Sequence, residues 1–310
     1  MMLLLHVLML SLLSGGLAKV VQDFESECRQ FFANGKSPTR FSESQYKQIC
    51  QTLDNDVYYA TFYDTDNKIP VYSAYKFEGL MGCTRLNKWY IEPQLDSNNA
   101  SPNMQLEKDV KKQGRGARQA LNGDYEKSRF DKGHLAPVYQ ANSQICADAT
   151  FTLTNAAPQN PSFNRGQWRV LEGNIAKELS DQCLPNKYSV YIVTGVVPGN
   201  NNINNRVKVP SHFWTAYCCL DNNNKCQISR GFIGENTNIA PKNKTIDDNN
   251  KGAHVACEGT VNIQIRGGRQ ALNGDSNRSG YHKDHLHQSS RQTHRQTSLS
   301  PMLLHKTVIL

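Results

Sequence analysis

The sequence contains no Cys-x-x-Cys pair, which excludes the usual spacing of a zinc ribbon and of a redox dithiol. Beyond its first residues it has no run approaching the ~20 apolar residues that a transmembrane helix needs. It also lacks an acidic excess. Thirty-five Lys and Arg residues face 27 Asp and Glu, giving a formal net charge of +8 and a pI of about 9.0. A basic surface attracts polyanions such as nucleic acid, heparin-like glycans or anionic membranes, and charge alone does not choose among them.

What is present fits a globular, exported chain. At 310 residues, 38% hydrophobic and 20% charged, it can bury an ordinary core in one large domain or two small ones. Leu3 to Leu13 form a short apolar run broken by His6 and Ser11, followed by the small residues Gly15, Gly16 and Ala18. Residues 1–18 therefore read as a signal peptide with a weak n-region, and a secreted mature chain is expected from near Lys19. Nine cysteines, Cys28, Cys50, Cys83, Cys146, Cys183, Cys218, Cys219, Cys226 and Cys257, are scattered along the chain. In an exported protein this favours disulfides. Their connectivity is not readable, and the odd count leaves one cysteine free or paired across a homodimer. Asn243-Lys244-Thr245 and Asn277-Arg278-Ser279 are glycosylation sequons; Asn99-Ala100-Ser101 is a poorer one because Pro102 follows.

The pattern along the chain is α+β and largely antiparallel, in a domain covering residues 19–256. Val57 to Tyr63 and Ile69 to Phe77 flank the turn cluster Asp64 to Asn67 and predict a β-hairpin. Asp96 to Asp124 is polar and reads as loop, carrying Lys108, Lys111, Lys112, Arg115 and Arg118. Phe151 to Leu153 reads as a short buried strand. Gly166 to Ser180 reads as a helix, with Trp168, Leu171, Ile175 and Leu179 on one face. Tyr188 to Val197 is a strand ended by Pro198-Gly199, and Phe213 to Leu220 and Gln227 to Ile233 are two more strands around a turn at Asp221 to Lys225.

Residues 257–310 differ from the rest. The run from Arg118 to Asp124 recurs from Arg269 to Asp275, and each Asp is followed ten positions later by His-Leu, at His134-Leu135 and His285-Leu286. The second copy has lost its centre, because Phe130 to His134 has become Tyr281 to His285. One degraded copy is a duplicated fragment rather than a solenoid repeat. His282, His285 and His287 sit within it, and the bland reading is preferred to a metal clip. Gln288 to Ser300 is polar and expected to be disordered.

Asp131-Lys132-Gly133-His134 is the sharpest local signal. Glycine permits tight backbone geometry before the histidine, and a neutral imidazole is a suitable base for water near neutral pH. Alone, four residues read as a structural His beside a turn. A second cluster raises the odds: Asn155 with Pro158-Gln159, then Asn164, Gly166, Trp168, Leu171 and Glu172. Asn164 stands at a plausible helix cap, or its carbonyl oxygen could ligate a hard cation. Glu172, two turns on, could hold a metal-bound water.

Together these motifs, Asp-Lys-Gly-His-Leu-Ala-Pro, Asn-x-x-Pro-Gln and Asn-x-Gly-x-Trp-x-x-Leu-Glu, resemble the DNA/RNA nonspecific endonucleases with a ββα-metal finger, over roughly residues 22–235. The resemblance implies a ββα-metal fold with a mixed sheet flanked by helices, one Mg²⁺, and sequence-nonspecific hydrolysis of DNA or RNA phosphodiesters to 5′-phosphate and 3′-hydroxyl ends. It implies His134 as general base, Asn164 as the sole direct protein ligand of the metal, and Glu172 and Asn155 as supports of the metal's water shell and the site. Arg85 matches, more loosely, an arginine that stabilises the pentacovalent phosphorane. Lys132 stands where the family usually has Arg, keeping the charge but losing the bidentate fork; with Arg129 and Arg165 it is expected on the substrate backbone. The alternative is a nuclease fold retained for nucleic-acid or immune-partner binding without catalysis. His134, Asn164 and Glu172 occurring together weigh against it, since a binding module needs none of them as a set.

Overall fold

The computed structural model describes residues 19–38 and 41–237, with strand segments at Asp247–Asp248, Asn262–Arg266, Arg269–Leu272 and Val308–Ile309. The expected signal peptide before Lys19, the sequons at Asn243 and Asn277, and the His282–His287 cluster lie outside the described residues. So does the rest of the duplicated fragment apart from those segments.

The strands of the main sheet are β1 (Lys19–Val21), β2 (Tyr46–Leu53), β3 (Asp56–Asp64) and β4 (Ile69–Phe77). Two short pairs follow, β5 (Tyr90–Ile91) with β6 (Gln105–Leu106), and β7 (Asp131–His134) with β8 (Ala156–Gln159). The chain then returns to the main sheet as β9 (Ser189–Ile203), β10 (Val207–Leu220), β11 (Cys226–Glu235) and β12 (Asp247–Asp248). The sheet order is β1-β2-β3-β4-β9-β10-β11-β12, and every neighbouring pair is antiparallel. Helices are few: α1 (Phe24–Glu27), α2 (Pro93–Asp96), α3 (Asn122–Tyr125), α4 (Gln144–Ala149), α5 (Pro161–Phe163) and α6 (Arg169–Glu178). The α+β class and the predicted hairpin are both observed.

Period-two alternation sends side chains to both faces of the sheet. Tyr75, Phe77, Ile192 and Phe213 pack on the face that carries Trp168, Leu171, Ile175 and Leu179 of the helical run. Tyr72, Ala74 and Trp214 face the other way, under Phe24, Phe31 and Phe32 of the N-terminal segment. The disulfide Cys28–Cys50 fastens that segment to β2, and Cys183–Cys219 fastens the end of the helical run to β10. Both faces of the sheet are thus covered, and the β7–β8 pair with the helix after it is carried on one of them.

Three local expectations are corrected. Phe151 to Leu153 is no strand: Thr152 makes one bridge to Tyr90, and Leu153–Asn155 then turns as a 3-10 helix before β8. Its apolar character reflects burial, which a turn can share with a strand. The helix begins earlier than Gly166, and its cap is Asn160, whose side chain accepts from Ser162 N at 3.0 Å. Asn164 has helical angles and opens a wide turn over Asn164–Trp168 rather than standing at the N-cap. Pro198-Gly199 does not end β9, because two register shifts between β9 and β10 absorb the proline pair Pro198 and Pro210.

Candidate active site

β7, β8 and the helical run through α6 form a ββα unit, and its residues line one side of a cleft of about 1310 Å³. Arg85, Lys132, His134, Asn164, Arg165 and Glu172 all reach this cleft. The structure therefore brings together residues spread over 88 positions of sequence.

His134 ends β7 opposite Ala156. The chain beyond it is held by Asn155. Leu135 N–H donates to the Asn155 carbonyl at 2.9 Å, and Ala136 N–H donates to Asn155 Oδ1 at 2.9 Å. Asn155 Nδ2 donates to the carbonyls of Ala136 and Thr150 at 3.0 and 2.9 Å, and Ser73 Oγ donates to Oδ1 at 3.0 Å. All of this amide's bonding capacity is used, and the side chain is fully buried away from the cleft. Asn155 therefore fixes the backbone on either side of the site.

The imidazole of His134 packs between Trp89 and Phe151, each at 4.9 Å between ring centres. Its Nε2 is buried without a protein partner. Burial, with the Arg85 guanidinium adding to it, pushes His134 down to about 3, so the ring is neutral at physiological pH. Arg85 lies on the irregular segment 78–89, with its guanidinium carbon 5.3 Å over the Phe151 ring.

At the start of β7, Asp131 is a bracket. Its Oδ2 accepts from Asn164 Nδ2 at 2.9 Å and from Arg165 Nε at 2.9 Å, and its Oδ1 accepts from Arg165 Nη2 at 2.6 Å. This sets the amide of Asn164 with its nitrogen toward Asp131. Among the described residues no donor is recorded on Asn164 Oδ1, which leaves that oxygen for a cation. Glu172 is partly buried on the same wall; burial pushes its carboxyl up to about 8, against the opposing pull of the Trp168 indole and Arg85. Gln140 fastens α6 to β4, donating to the Glu172 carbonyl at 3.0 Å while accepting from Tyr75 Oη at 2.8 Å. Among the described residues no group of three or more His, Cys, Asp or Glu is placed to cage a metal. One amide oxygen with one carboxyl group on the same cleft instead suits a single hard cation that keeps most of its waters.

Lys132 donates to Asn122 Oδ1 at 2.7 Å, and its ammonium lies 5.1 Å from the Trp89 ring centre and 5.8 Å from that of Tyr125. Burial lowers its pKa, opposed by Glu107 and Glu126. Arg129 is exposed with a left-handed φ of 65° and is not on the cleft wall. Arg165 reaches the wall, but its charge is paired with Asp131. Sequence reasoning missed Arg169, which lines the cleft one turn beyond Arg165 and forms no ion pair among the described residues. Its i+4 spacing from Arg165 was the available signal. Exposed Tyr139 and the stacked Trp89 were missed as well.

The profile of the DNA/RNA non-specific endonucleases matches residues 37–267. The human endonuclease domain-containing 1 protein is 34% identical over 215 residues, covering 67% of this chain and 42% of that protein. Human mitochondrial endonuclease G is 35% identical over 109 residues, covering 31% of this chain and 35% of that protein. The chain thus spans less than half the length of either relative. A chain of the solved EndoG/EndoGI complex superposes with a TM-score of 0.44 at 22% identity, covering 63% of this chain and 79% of its own. A match over most of its length, with the ββα unit and its motif residues on one cleft, places this chain in the DNA/RNA non-specific endonuclease family.

Proposed function

We propose that the protein is a secreted, Mg²⁺-dependent endonuclease that hydrolyses phosphodiester bonds of DNA or RNA without sequence preference. The observation that carries this reading is a neutral histidine with a partnerless ring nitrogen on the same cleft as an amide oxygen held ready for a cation. Asn164 Oδ1 would hold the ion, with Glu172 bonding its waters. When bound, such an ion supplies Lewis-acid stabilisation of phosphoryl oxygen charge.

His134 takes the proton of the attacking water. A ring held near pKa 3 is a weak base in the free protein, and Arg85 is one cause of that depression. Burial is the larger cause; a phosphate placed against Arg85 offsets only the smaller one, and its own negative charge favours the imidazolium that forms as the water is deprotonated. The same guanidinium balances charge developing on the nonbridging oxygens. Lys132 and Arg169 meet neighbouring phosphates, while Asp131 orients Asn164. Contacts of this kind read backbone and not base edges, which gives low sequence specificity.

The test is nicking of supercoiled plasmid by the secreted chain, with Mg²⁺ or EDTA, beside His134→Ala. Nicking that requires Mg²⁺ and falls by about 10²–10⁴ in the variant is expected. A folded chain that binds nucleic acid equally with and without Mg²⁺ and never nicks would favour the non-catalytic alternative.

A further inference from the structure

Cys83 and Cys146 take no part in the chemistry above, and both are thiols. Cys83 lines the cleft two residues ahead of Arg85. The segment 78–89 that bears them has no regular structure, and side chains fasten it to the start of α4. Gln144 Oε1 accepts from Thr84 N at 2.9 Å and from Thr84 Oγ1 at 3.0 Å, and Gln144 Nε2 donates to the Thr84 carbonyl at 3.1 Å. Nearby, Asn142 Nδ2 donates to Glu78 Oε2 at 2.6 Å.

Both cysteines pack on one apolar patch formed by Val138, Ala141, Ala147 and Phe151. The Cys83 sulfur lies 3.9 Å from the Ala141 carbonyl oxygen, five residues before Cys146 in the stretch that leads into α4. Both thiols therefore lie against the same patch at the entry to α4.

We propose that Cys83 and Cys146 are a disulfide site, closing a tether between the Arg85 segment and α4. The oxidant is a small-molecule disulfide such as glutathione disulfide. Cys83, on the cleft wall, attacks it, forming a mixed disulfide and releasing one glutathione thiolate. Cys146 then attacks the Cys83 sulfur, forming the protein disulfide and releasing the second thiolate. Two cysteine thiols are oxidised, one glutathione disulfide is reduced to two glutathione molecules, and the two thiol protons pass to them. Burial pushes the Cys146 thiol up to about 11, which makes it a poor attacker of the free oxidant, so it reacts only once the mixed disulfide is held beside it. The closed tether fixes Arg85 over Phe151, the ring that packs against His134. The consequence for catalysis rests on the function proposed above; the disulfide does not.

The experiment equilibrates the full chain with glutathione disulfide, blocks remaining thiols with N-ethylmaleimide, and maps the peptides by mass spectrometry. Loss of both alkylatable thiols, with the Cys83 and Cys146 peptides joined, is expected. Either cysteine recovered alkylated, held as a glutathione adduct, or joined to another partner overturns the proposal. Amide hydrogen exchange across 78–89, compared between the oxidised chain and Cys146→Ser, gives a second readout. Slower exchange in the oxidised chain is expected, and equal exchange overturns the tether. Neither readout needs nucleic acid, so its failure is distinct from failure of the nuclease reading.

Discussion

Gly133 is fixed by contact and not by backbone angle. It lies in extended β7, and a Cβ there would meet Gln159 Oε1 at 2.2 Å and Gln159 Cβ at 2.5 Å. The second distance matters more, because a flexible tip can swing away and a Cβ cannot. Gly133→Ala is therefore expected to cost about 1–3 kcal/mol, a fall in Tm of roughly 2–10 °C for a domain of this size. Adding Gln159→Ala should not restore it, since the Cβ remains. Thermal denaturation of the single and double variants checks this; full recovery in the double variant would show that only the side-chain tip mattered. His134, one residue on, makes a pH prediction. Its folded pKa, about 3, lies below the unfolded value of about 6.5. Its contribution to stability is thus present above pH 6.5 and is lost as pH falls from there toward 3. Buried Glu92, pushed up to about 8 by burial, has the opposite sign: its contribution is present below about pH 4.5 and is lost as pH rises through 8. Comparing the protein with His134→Asn at each pH isolates the histidine. Between pH 7 and 4 the variant should lose less stability in urea titrations, by on the order of 3 kcal/mol. Parallel acid curves would show that His134 is not buried in solution.

At the scale of elements, the ββα unit depends on one carboxylate. Asp131 starts β7, while Asn164 and Arg165 sit in the wide turn that opens the helix. Because Arg165 is 73% exposed, the ion pair adds little stability, and its effect is to set the angle of the Asn164 amide. Asp131→Ala should leave Tm within a few degrees yet raise the Mg²⁺ concentration needed for half-maximal nicking by about 10–100-fold, the usual cost of losing a group that orients a ligand. An unchanged Mg²⁺ requirement would mean that Asn164 needs no such bracket. This element was only partly legible in the sequence. The face of Trp168, Leu171, Ile175 and Leu179 was readable because a 3.6-residue period persists over several turns. The hairpin around Asp64 to Asn67 was readable from its turn residues and β-branched flanks. β7 and β8 were not, because Asp131–His134 and Ala156–Gln159 are four residues each, lack alternation, and take their strand character only from pairing with each other. β2 escaped for a related reason: Lys47, Gln48, Gln51 and Thr52 break its apolar pattern, although Gln51 and Thr52 are fully buried and bond inside the fold. The motif residues were visible one by one, whereas their meeting on a single cleft depends on β4, which carries Ser73 to Asn155, and no local pattern encodes that contact.

The molecule as a whole carries a net charge of +8, yet few of its cations are placed to act together. Arg115 and Arg206 are spent on Glu107 and Asp124, and Arg230 on Glu178. Arg165 reaches the cleft already paired, and Arg129 does not reach it. Among the described residues, Arg85, Lys132 and Arg169 share one cleft and form no ion pair. If each meets one phosphate, the binding constant for duplex DNA should fall with salt at a log–log slope of about −2.7, the value for three released counterions. That slope is far shallower than net charge alone would suggest, so it separates a localised site from diffuse attraction to a basic surface. The identity of the contacts follows from single variants. Arg169→Ala should make the slope shallower by about 1 while weakening all sequences alike, whereas Arg165→Ala and Arg129→Ala should leave it unchanged. Fluorescence anisotropy with a labelled duplex, in EDTA so that nothing is cleaved, measures all four proteins across one salt series. A slope that drops equally for Arg129→Ala and Arg169→Ala would assign binding to the surface at large and remove the cleft from the recognition of nucleic acid.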